Sequence, residues 1–397
     1  MDQAHTKHIV LGITGGIAAY KAAELARLLV KQGITVQVAM TQAATHFITP
    51  TTMQALTGLP VLIDQWQDDK GMAHIQSSRI ADAIVIAPAT ADFIAKLAHG
   101  LADDLLSTLC LARNCPLLVA PAMNQQMWSN AATQRNVQQL VADGVTLLGP
   151  VSGVQACGEE GMGRMLEAEA LAQDIVAAFQ PKLLEGRKVL ITAGPTYEAI
   201  DAVRGITNRS SGKMGYAIAQ AARELGAQVT LISGPTALAR PHGALVVDVT
   251  SAAEMFEAVK QRVTDADIFI AVAAVADYRV AQASEQKIKK SDAKLTLELI
   301  PNPDILAYVA ALADAPFCVG FAAESENLHA YAEQKRRAKK LPLLAANLAQ
   351  HAIGADDNEL ILFDAAGEHR LPRTDKLTLA RALLLHATTL YKKGNSK

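Results

Sequence analysis

Short β-branched runs alternate with segments of helical length and spacing, and within one chain this alternation starts twice. In the first half the strand-like runs are His8–Ile13, Ile34–Met40, Ala83–Ala87, Leu117–Ala120 and Val145–Leu148. Between them lie the helical patterns Ile17–Lys31, Phe93–Ala98 with Leu101–Ala112, and Met127–Ala142. A strand, a helix and a second strand in that order make a parallel pair, and continuous apolar runs predict a sheet covered on both faces. A Gly-rich stretch, Gly149–Gly163, and the helical run Glu167–Phe179 follow. The rhythm restarts at Val189–Ala193, with strands Gln228–Ser233, Leu245–Val249, Ile268–Val275 and Cys318–Ala322. Helices Gly215–Leu225, Ala252–Val263 and Asn327–Lys340 separate them. Glu359–Phe363 and His369–Pro372 flank Ala365-Ala366-Gly367 as a hairpin, and Thr374–Tyr391 closes the chain as a helix. A boundary near Pro181–Arg187 divides the 397 residues into two α/β domains, 1–187 and 188–397, each of ordinary domain size.

Charge and cysteine content narrow the function classes. With 37 basic and 39 acidic side chains there is no general electrostatic basis for binding nucleic acid or an anionic membrane. No apolar run approaches the length of a membrane span, and Met1–Lys7 lacks the apolar core of a signal peptide. Cys110, Cys115, Cys157 and Cys318 form no C-x-x-C pair, which argues against a zinc or disulfide framework. The expectation is a soluble cytoplasmic protein.

Two glycine loops stand between a strand and a helix. Gly12-Ile13-Thr14-Gly15-Gly16 lets the backbone approach a phosphate at a helix N-terminus, but it is not G-x-G-x-x-G, and a plain tight turn fits equally. Gly205-Ile206-Thr207-Asn208-Arg209-Ser210-Ser211-Gly212-Lys213-Met214-Gly215 is not a Walker A loop, because six residues separate Gly205 from Gly212 and Met214 follows the lysine. It reads as a phosphate cradle or as a turn capped by Ser210 or Ser211.

The candidate chemistry is distributed. His74 precedes the third strand, and a lone His is a base or a packed residue. Asn124 follows Leu117–Ala120, where open parallel sheets bind ligands, and is also placed to cap a helix. Cys157 differs from the core-like Cys110 and Cys115 in being surrounded by Gly and charged residues, as in a lid that closes over substrate. Lys287, Lys289 and Lys290 form one basic cluster; Lys335, Arg336, Arg337, Lys339 and Lys340 form another. These are solvated faces or a triphosphate clamp. Asp277 ends the run Ile268–Val275 and Asp304 follows Pro301-Asn302-Pro303; each suits a metal- or ribose-bearing ligand, or a turn.

The ordered set Gly15–Lys21, Pro88–Asp92, Pro121–Trp128, Ala156–Met165, Asn208–Gly215, Ala274–Tyr278, Lys287–Lys290 and Gly320–Glu324 resembles one family over nearly the whole chain. That family is the bacterial bifunctional phosphopantothenoylcysteine decarboxylase / phosphopantothenate–cysteine ligase of coenzyme A biosynthesis. The resemblance implies a flavodoxin-like, trimeric, FMN-dependent decarboxylase over 1–187, with the flavin between subunits. Gly15, Gly16, Thr41, Pro88, Ala89 and Thr90 match positions around FMN; His74 matches the base, Asn124 the holder of the substrate carboxylate and Cys157 the flap acid. Over 188–397 it implies a Rossmann-like, dimeric ligase that uses CTP and Mg²⁺ to join L-cysteine to 4′-phosphopantothenate through an acyl-cytidylate. Asn208 matches the residue that handles that intermediate, with Arg204 in the same substrate loop. Ala271, Val272, Ala273, Asp277, Lys287, Pro303, Asp304, Ile305, Leu306, Phe321, Lys335 and Lys339 match CTP-site positions. Combined trimeric and dimeric contacts imply a homo-oligomer, up to a dodecamer; no metal ligand is assigned.

Three positions depart from the pattern: Asp92 where related flavoproteins often have Asn, Tyr197 where Arg is common, and Leu348 where Asp is common. The competing readings are a flavin-binding regulatory protein, which has no need of His74, Asn124 and Cys157 together, and a flavin or nicotinamide oxidoreductase. The missing G-x-G-x-x-G weakens its nicotinamide form.

Overall fold

A computed structural model describes residues 6–64, 78–290, 294–324, 326–348 and 355–394. Backbone packing divides the chain into two compact units, Met1–Phe179 and Gln180–Lys397.

The first unit runs β1 (His8–Ile13), α1 (Ala19–Lys31), β2 (Thr35–Met40), a 3-10 turn (Gln42–His46), α2 (Pro50–Thr57), β3 (Ala83–Ala89), α3 (Ala91–His99), α4 (Leu105–Leu111), β4 (Leu117–Pro121), α5 (Gln125–Ser129), α6 (Ala131–Ala142), β5 (Thr146–Leu147), β6 (Val151–Val154), β7 (Glu160–Arg164) and α7 (Ala168–Ala178). β1 to β5 form a parallel sheet in the order β2-β1-β3-β4-β5, the doubly wound order in which strand succession reverses between β1 and β3. Side-chain alternation on β1 builds two cores. Ile9, Leu11 and Ile13 pack with Leu25 and Leu29 of α1 and Leu171 of α7, whereas Val10 faces Phe93 of α3 and Leu106 of α4.

Two local expectations are corrected here. The helical pattern Met127–Ala142 is broken into α5 and α6, because the Asn130 side chain caps the second helix by accepting from Ala132 N–H at 2.9 Å. The Gly-rich stretch contains an antiparallel hairpin, β6 with β7, where Gly161 (φ 158°) and Gly163 (φ 130°) supply backbone angles that other residues avoid.

The second unit begins with a segment in which Leu184 is fully buried and its N–H donates to Leu225 O at 2.9 Å. It continues with β8 (Lys188–Ala193), β9 (Tyr197–Ala199), β10 (Gly205–Thr207), α8 (Lys213–Glu224), β11 (Gln228–Ser233), β12 (Leu245–Asp248), α9 (Ala252–Lys260), β13 (Ile268–Ala271), β14 (Tyr278–Val280), β15 (Leu299–Pro301), α10 (Ile305–Ala310), β16 (Phe317–Glu324), α11 (Leu328–Ala338), β17 (Leu343–Leu348), β18 (Asp357–Asp364), β19 (Gly367–Asp375) and α12 (Lys376–Gly394). Its main sheet has the order β12-β11-β8-β13-β16-β17-β18-β19. The strands from β12 to β17 are parallel and β18 and β19 add an antiparallel edge. Among the described residues no helix is long and apolar enough to cross a membrane.

Candidate functional site

Each unit places a cavity at the carboxyl ends of its parallel strands. In the first unit α1 covers one face of the sheet and α3 and α4 the other, so the connections after β1 and β3 diverge and leave a crevice. A cavity of about 580 Å³ occupies it, lined among others by Gly15, Gly16, Thr90, Asn124, Met127 and Cys157. Its floor is the glycine turn. A Cβ on Gly15 would lie 2.5 Å from Ala43 Cβ, so only glycine lets the chain pass there. Ala18 starts α1 without a side-chain cap, which leaves the helix N-terminus suited to an anion.

Thr14 joins the two loops at the crevice: its Oγ1 donates to Pro88 O at 2.8 Å and accepts from Thr90 N–H at 3.0 Å. Thr90 then caps α3 by accepting from Phe93 N–H at 3.2 Å. Of the expected cofactor residues, Gly15, Gly16 and Thr90 line the cavity. Pro88 and Ala89 are buried in β3, and Thr41 caps the 3-10 turn, accepting from Ala44 N–H at 3.3 Å.

The hairpin forms the opposite wall. Met123 N–H donates to Gly163 O at 3.0 Å, and Gln125 N–H to Gln155 Oε1 at 3.1 Å. Asn124 does cap α5, through Oδ1 and Gln126 N–H at 2.8 Å, yet its Nδ2 still points to the hairpin. There it donates to Glu159 Oε2 at 2.5 Å and lies 3.6 Å from Cys157 Sγ. Capping thus occupies the amide oxygen and leaves the amide nitrogen facing the hairpin. The Glu159 contact shows that this donor accommodates a carboxylate; nothing in the sequence had singled out that residue. His74 lies outside the described residues.

Thiol environments separate the cysteines. Burial pushes Cys110 and Cys318 up to about 12, where they are inert at neutral pH, whereas Cys157 is exposed on the hairpin turn.

In the second unit a cavity of about 410 Å³ brings together Asn208, Val272, Ala273, Phe321 and Lys335 from the expected set. Gly212 precedes α8 in the left-handed conformation (φ 77°) and provides no side-chain cap. The expected caps Ser210 and Ser211 are therefore corrected: Ser210 Oγ instead accepts from Gly212 N–H at 3.3 Å. Asn208 Nδ2 donates to Ala274 O at 2.8 Å, which fixes the amide beside the loop 272–275.

That loop replaces the end of an expected strand. β13 stops at Ala271 because Ala273 N–H turns to Thr192 Oγ1 at 3.4 Å and Ala274 N–H to Gly194 O at 2.9 Å. Asp277 accordingly sits exposed beyond the sheet rather than at a strand end. Ala271, Asp277, Lys287, Pro303, Asp304, Ile305, Leu306 and Lys339 do not line this cavity. Asp304 caps α10 by accepting from Ala307 N–H at 2.9 Å and is paired with Lys339. Burial raises its carboxyl's pKa, but Lys339 and the Ala307 N–H outweigh that and hold it below the usual carboxylate value. Arg204 is held by buried Asp201 and donates to Ile288 O at 2.8 Å, outside the cavity lining.

Sequence reasoning missed Asn358 and Lys376, which reach this cavity from β18 and the start of α12. Asn358 Oδ1 is buried without a hydrogen-bond partner. Lys376 is buried, and desolvation followed by the nearby Lys213 charge moves its ammonium below the usual lysine value. Their signal in the sequence was only that of a hairpin and a closing helix.

The fold and cavities define a flavoprotein-type α/β unit joined to a second α/β unit with a cavity of its own, and the comparisons agree. The family model described as "Flavoprotein" matches residues 2–180, and that of the "DNA/pantothenate metabolism flavoprotein C-terminal domain" matches residues 184–390. The "Coenzyme A biosynthesis bifunctional protein CoaBC" of Vibrio cholerae is 53% identical over 393 residues, covering 97% of this chain and 98% of the relative. The proteins of the same name from Escherichia coli K12 (49% identity, 98% and 99% coverage) and Bacillus subtilis 168 (43%, 99% and 99%) are similar along their whole length. The chain belongs to this family of coenzyme A biosynthesis bifunctional proteins.

Proposed function

We propose that the second unit ligates L-cysteine to 4′-phosphopantothenate at the expense of CTP, and that the first decarboxylates the product to 4′-phosphopantetheine with FMN. The meeting of Asn124 and Cys157 over the β1/β3 crevice, 3.6 Å apart, carries the decarboxylase reading.

The crevice fits a flavin mononucleotide. The uncapped start of α1 and the glycine turn suit its phosphate, and Ala122, Met123, Met127 and Met165 give an apolar lining for a planar ring. When bound, FMN supplies a reversible hydride acceptor, without which loss of CO₂ from a cysteinyl carboxylate leaves an unstabilised carbanion. Asn124 Nδ2 holds the substrate carboxylate in place of Glu159. Cys157 delivers a proton to the product from the hairpin side, and His74 is assigned the removal of the substrate thiol proton. Ile17 and Tyr20, each 62% exposed at the cavity mouth, support a subunit contact that completes the flavin site and hence a trimer of this unit.

For the ligase, the parallel part of the second sheet, numbered within the sheet, has the order 3-2-1-4-5-6, which supports a Rossmann-like reading. A carboxylate is a poor acyl donor, so the phosphopantothenate carboxylate is activated as an acyl-cytidylate with release of pyrophosphate; the cysteine amine then displaces CMP. Lys287 neutralises phosphate charge in the first half-reaction, and Asn208 steadies the acyl group of the intermediate. Arg204 serves the same substrate loop. Lys335, Lys339, Asp277, Asp304 and the backbone around Ala271 and Leu306 are assigned to CTP. Mg²⁺ is assigned to the triphosphate; among the described residues lining the cavity there is no carboxylate. A dimer of this unit, a homo-oligomer overall and a cytoplasmic setting complete the proposal.

Incubating the purified chain with 4′-phosphopantothenate, CTP, Mg²⁺ and cysteine, and identifying products by mass, tests both halves. CMP, pyrophosphate, CO₂ and 4′-phosphopantetheine are expected; phosphopantothenoylcysteine accumulating on flavin-loaded protein would refute the first-unit assignment.

A further inference from the structure

Outside both cavities, three metal-ligating side chains converge from β18, β19 and α12. We propose that Asp364, His369 and His386 bind one zinc-class dication. Asp364 Oδ2 lies 2.8 Å from His386 Nε2 and 3.1 Å from His369 Nε2, and all three ligand atoms are within 4.8 Å of one another. The imidazole centroids are 4.5 Å apart. Metal–ligand bonds of about 2.0–2.2 Å in a tetrahedral site place ligand atoms roughly 3.3–3.6 Å apart, a separation that a small side-chain rotation reaches from the observed 2.8 and 3.1 Å.

The carboxylate is already oriented: Asp364 is 2% exposed at its side chain, and its Oδ1 accepts from Ala366 N–H at 2.7 Å. One oxygen thereby faces two imidazole nitrogens. The Nε2 atom of His369 is buried and makes no well-directed hydrogen bond, so the cluster is incompletely satisfied as a hydrogen-bonded triad. The two imidazole side chains are 40% and 24% exposed, which gives an ion access and leaves room for water as the fourth ligand. Two imidazoles and one carboxylate favour zinc, cobalt or nickel over magnesium, which prefers oxygen alone. A bound ion would clip the β18–β19 hairpin to α12 and stabilise the second unit, because the three ligands are brought together only by folding.

The test is equilibrium dialysis of the chelator-stripped, flavin-loaded full chain against Zn²⁺, with metal quantified per chain. The wild type is expected to bind one equivalent more than His369→Gln and His386→Gln at the same free Zn²⁺. Its unfolding midpoint is expected to rise with Zn²⁺ while theirs stay fixed. His329→Gln, at a histidine paired with Glu368 instead, keeps the wild-type stoichiometry. Equal stoichiometry and affinity in the wild type and His369→Gln, whose partly exposed side chain makes misfolding a poor explanation, would overturn the site. Absence of saturable wild-type binding would overturn it too.

Discussion

Asn124 and Cys157, 33 residues apart in sequence, stand with Nδ2 and Sγ 3.6 Å from each other. The first is fixed at the end of β4 by its own capping bond; the second arrives on a hairpin that spans the gap. A group held by the amide is therefore within reach of the thiol. Cys157→Ser keeps the shape and removes the acidity, so CO₂ is expected to be released in a single turnover that leaves the flavin reduced, while 4′-phosphopantetheine formation falls by about 10²–10⁴-fold. Measuring both products in one reaction checks this; matched wild-type rates would show that the thiol is not the proton donor.

Gly163 provides a purely geometric prediction. A Cβ there would lie 2.4 Å from Met123 O, a backbone atom, at a φ of 130°. Gly163→Ala must displace the hairpin from the β4 loop, and a shift of about 1 Å is enough to lower decarboxylation by about 100-fold. Ligation is expected to proceed normally, which parallel assays of the two reactions would establish.

In the ligase, Lys287→Gln and Asn208→Asp are expected to fail at different stages. Loss of the Lys287 charge removes neutralisation of the phosphates, so almost no pyrophosphate is released when cysteine is omitted. Asn208→Asp sets a carboxylate oxygen against Ala274 O, where the amide now donates at 2.8 Å, and repels the acyl-cytidylate phosphate. This variant is expected to release some pyrophosphate but form little product with cysteine. Acyl-cytidylate formation at the normal rate by Lys287→Gln would refute its role.

Asp201 makes a pH prediction. Bonds from the Arg204 side chain dominate over burial, and N–H donors of Val203, Ile288 and Arg204 add to them, holding its carboxyl well below the usual range. A carboxyl depressed on folding contributes stability that is fully present above its unfolded pKa of about 3.9 and is lost as pH falls toward the lower folded value. Asp201→Asn is therefore expected to lower the unfolding midpoint at pH 7 and to differ less from the wild type at pH 3. Thermal unfolding at the two pH values decides it; an equal deficit at both would show that the charge is not responsible.

Much of the scaffold was legible because its strands are β-branched and buried. His8–Ile13 and Gln228–Ser233 coincide with observed strands end to end. β17 was not, because Leu343–Leu348 is Leu- and Ala-rich and has no β-branched residue; burial between β16 and β18 makes it a strand. Local periodicity also could not reveal the hairpin, whose glycines carry no pattern. At the sites, motif matching named Asn124, Cys157 and Asn208, but Glu159, Asn358 and Lys376 come into view only when distant elements are folded together.

The bond from Thr14 Oγ1 to Pro88 O and the one it accepts from Thr90 N–H have a consequence for traffic through the first crevice. Thr14 is 1% exposed, so parting the loops after β1 and β3 would strip these two bonds, and the one from Thr14 N–H to Pro88 O at 3.3 Å, in a place water does not reach. The facing hairpin is largely exposed and is tied down near its base and through Gln155. Opening the crevice on the hairpin side therefore disrupts less buried hydrogen bonding than opening it on the threonine-locked side.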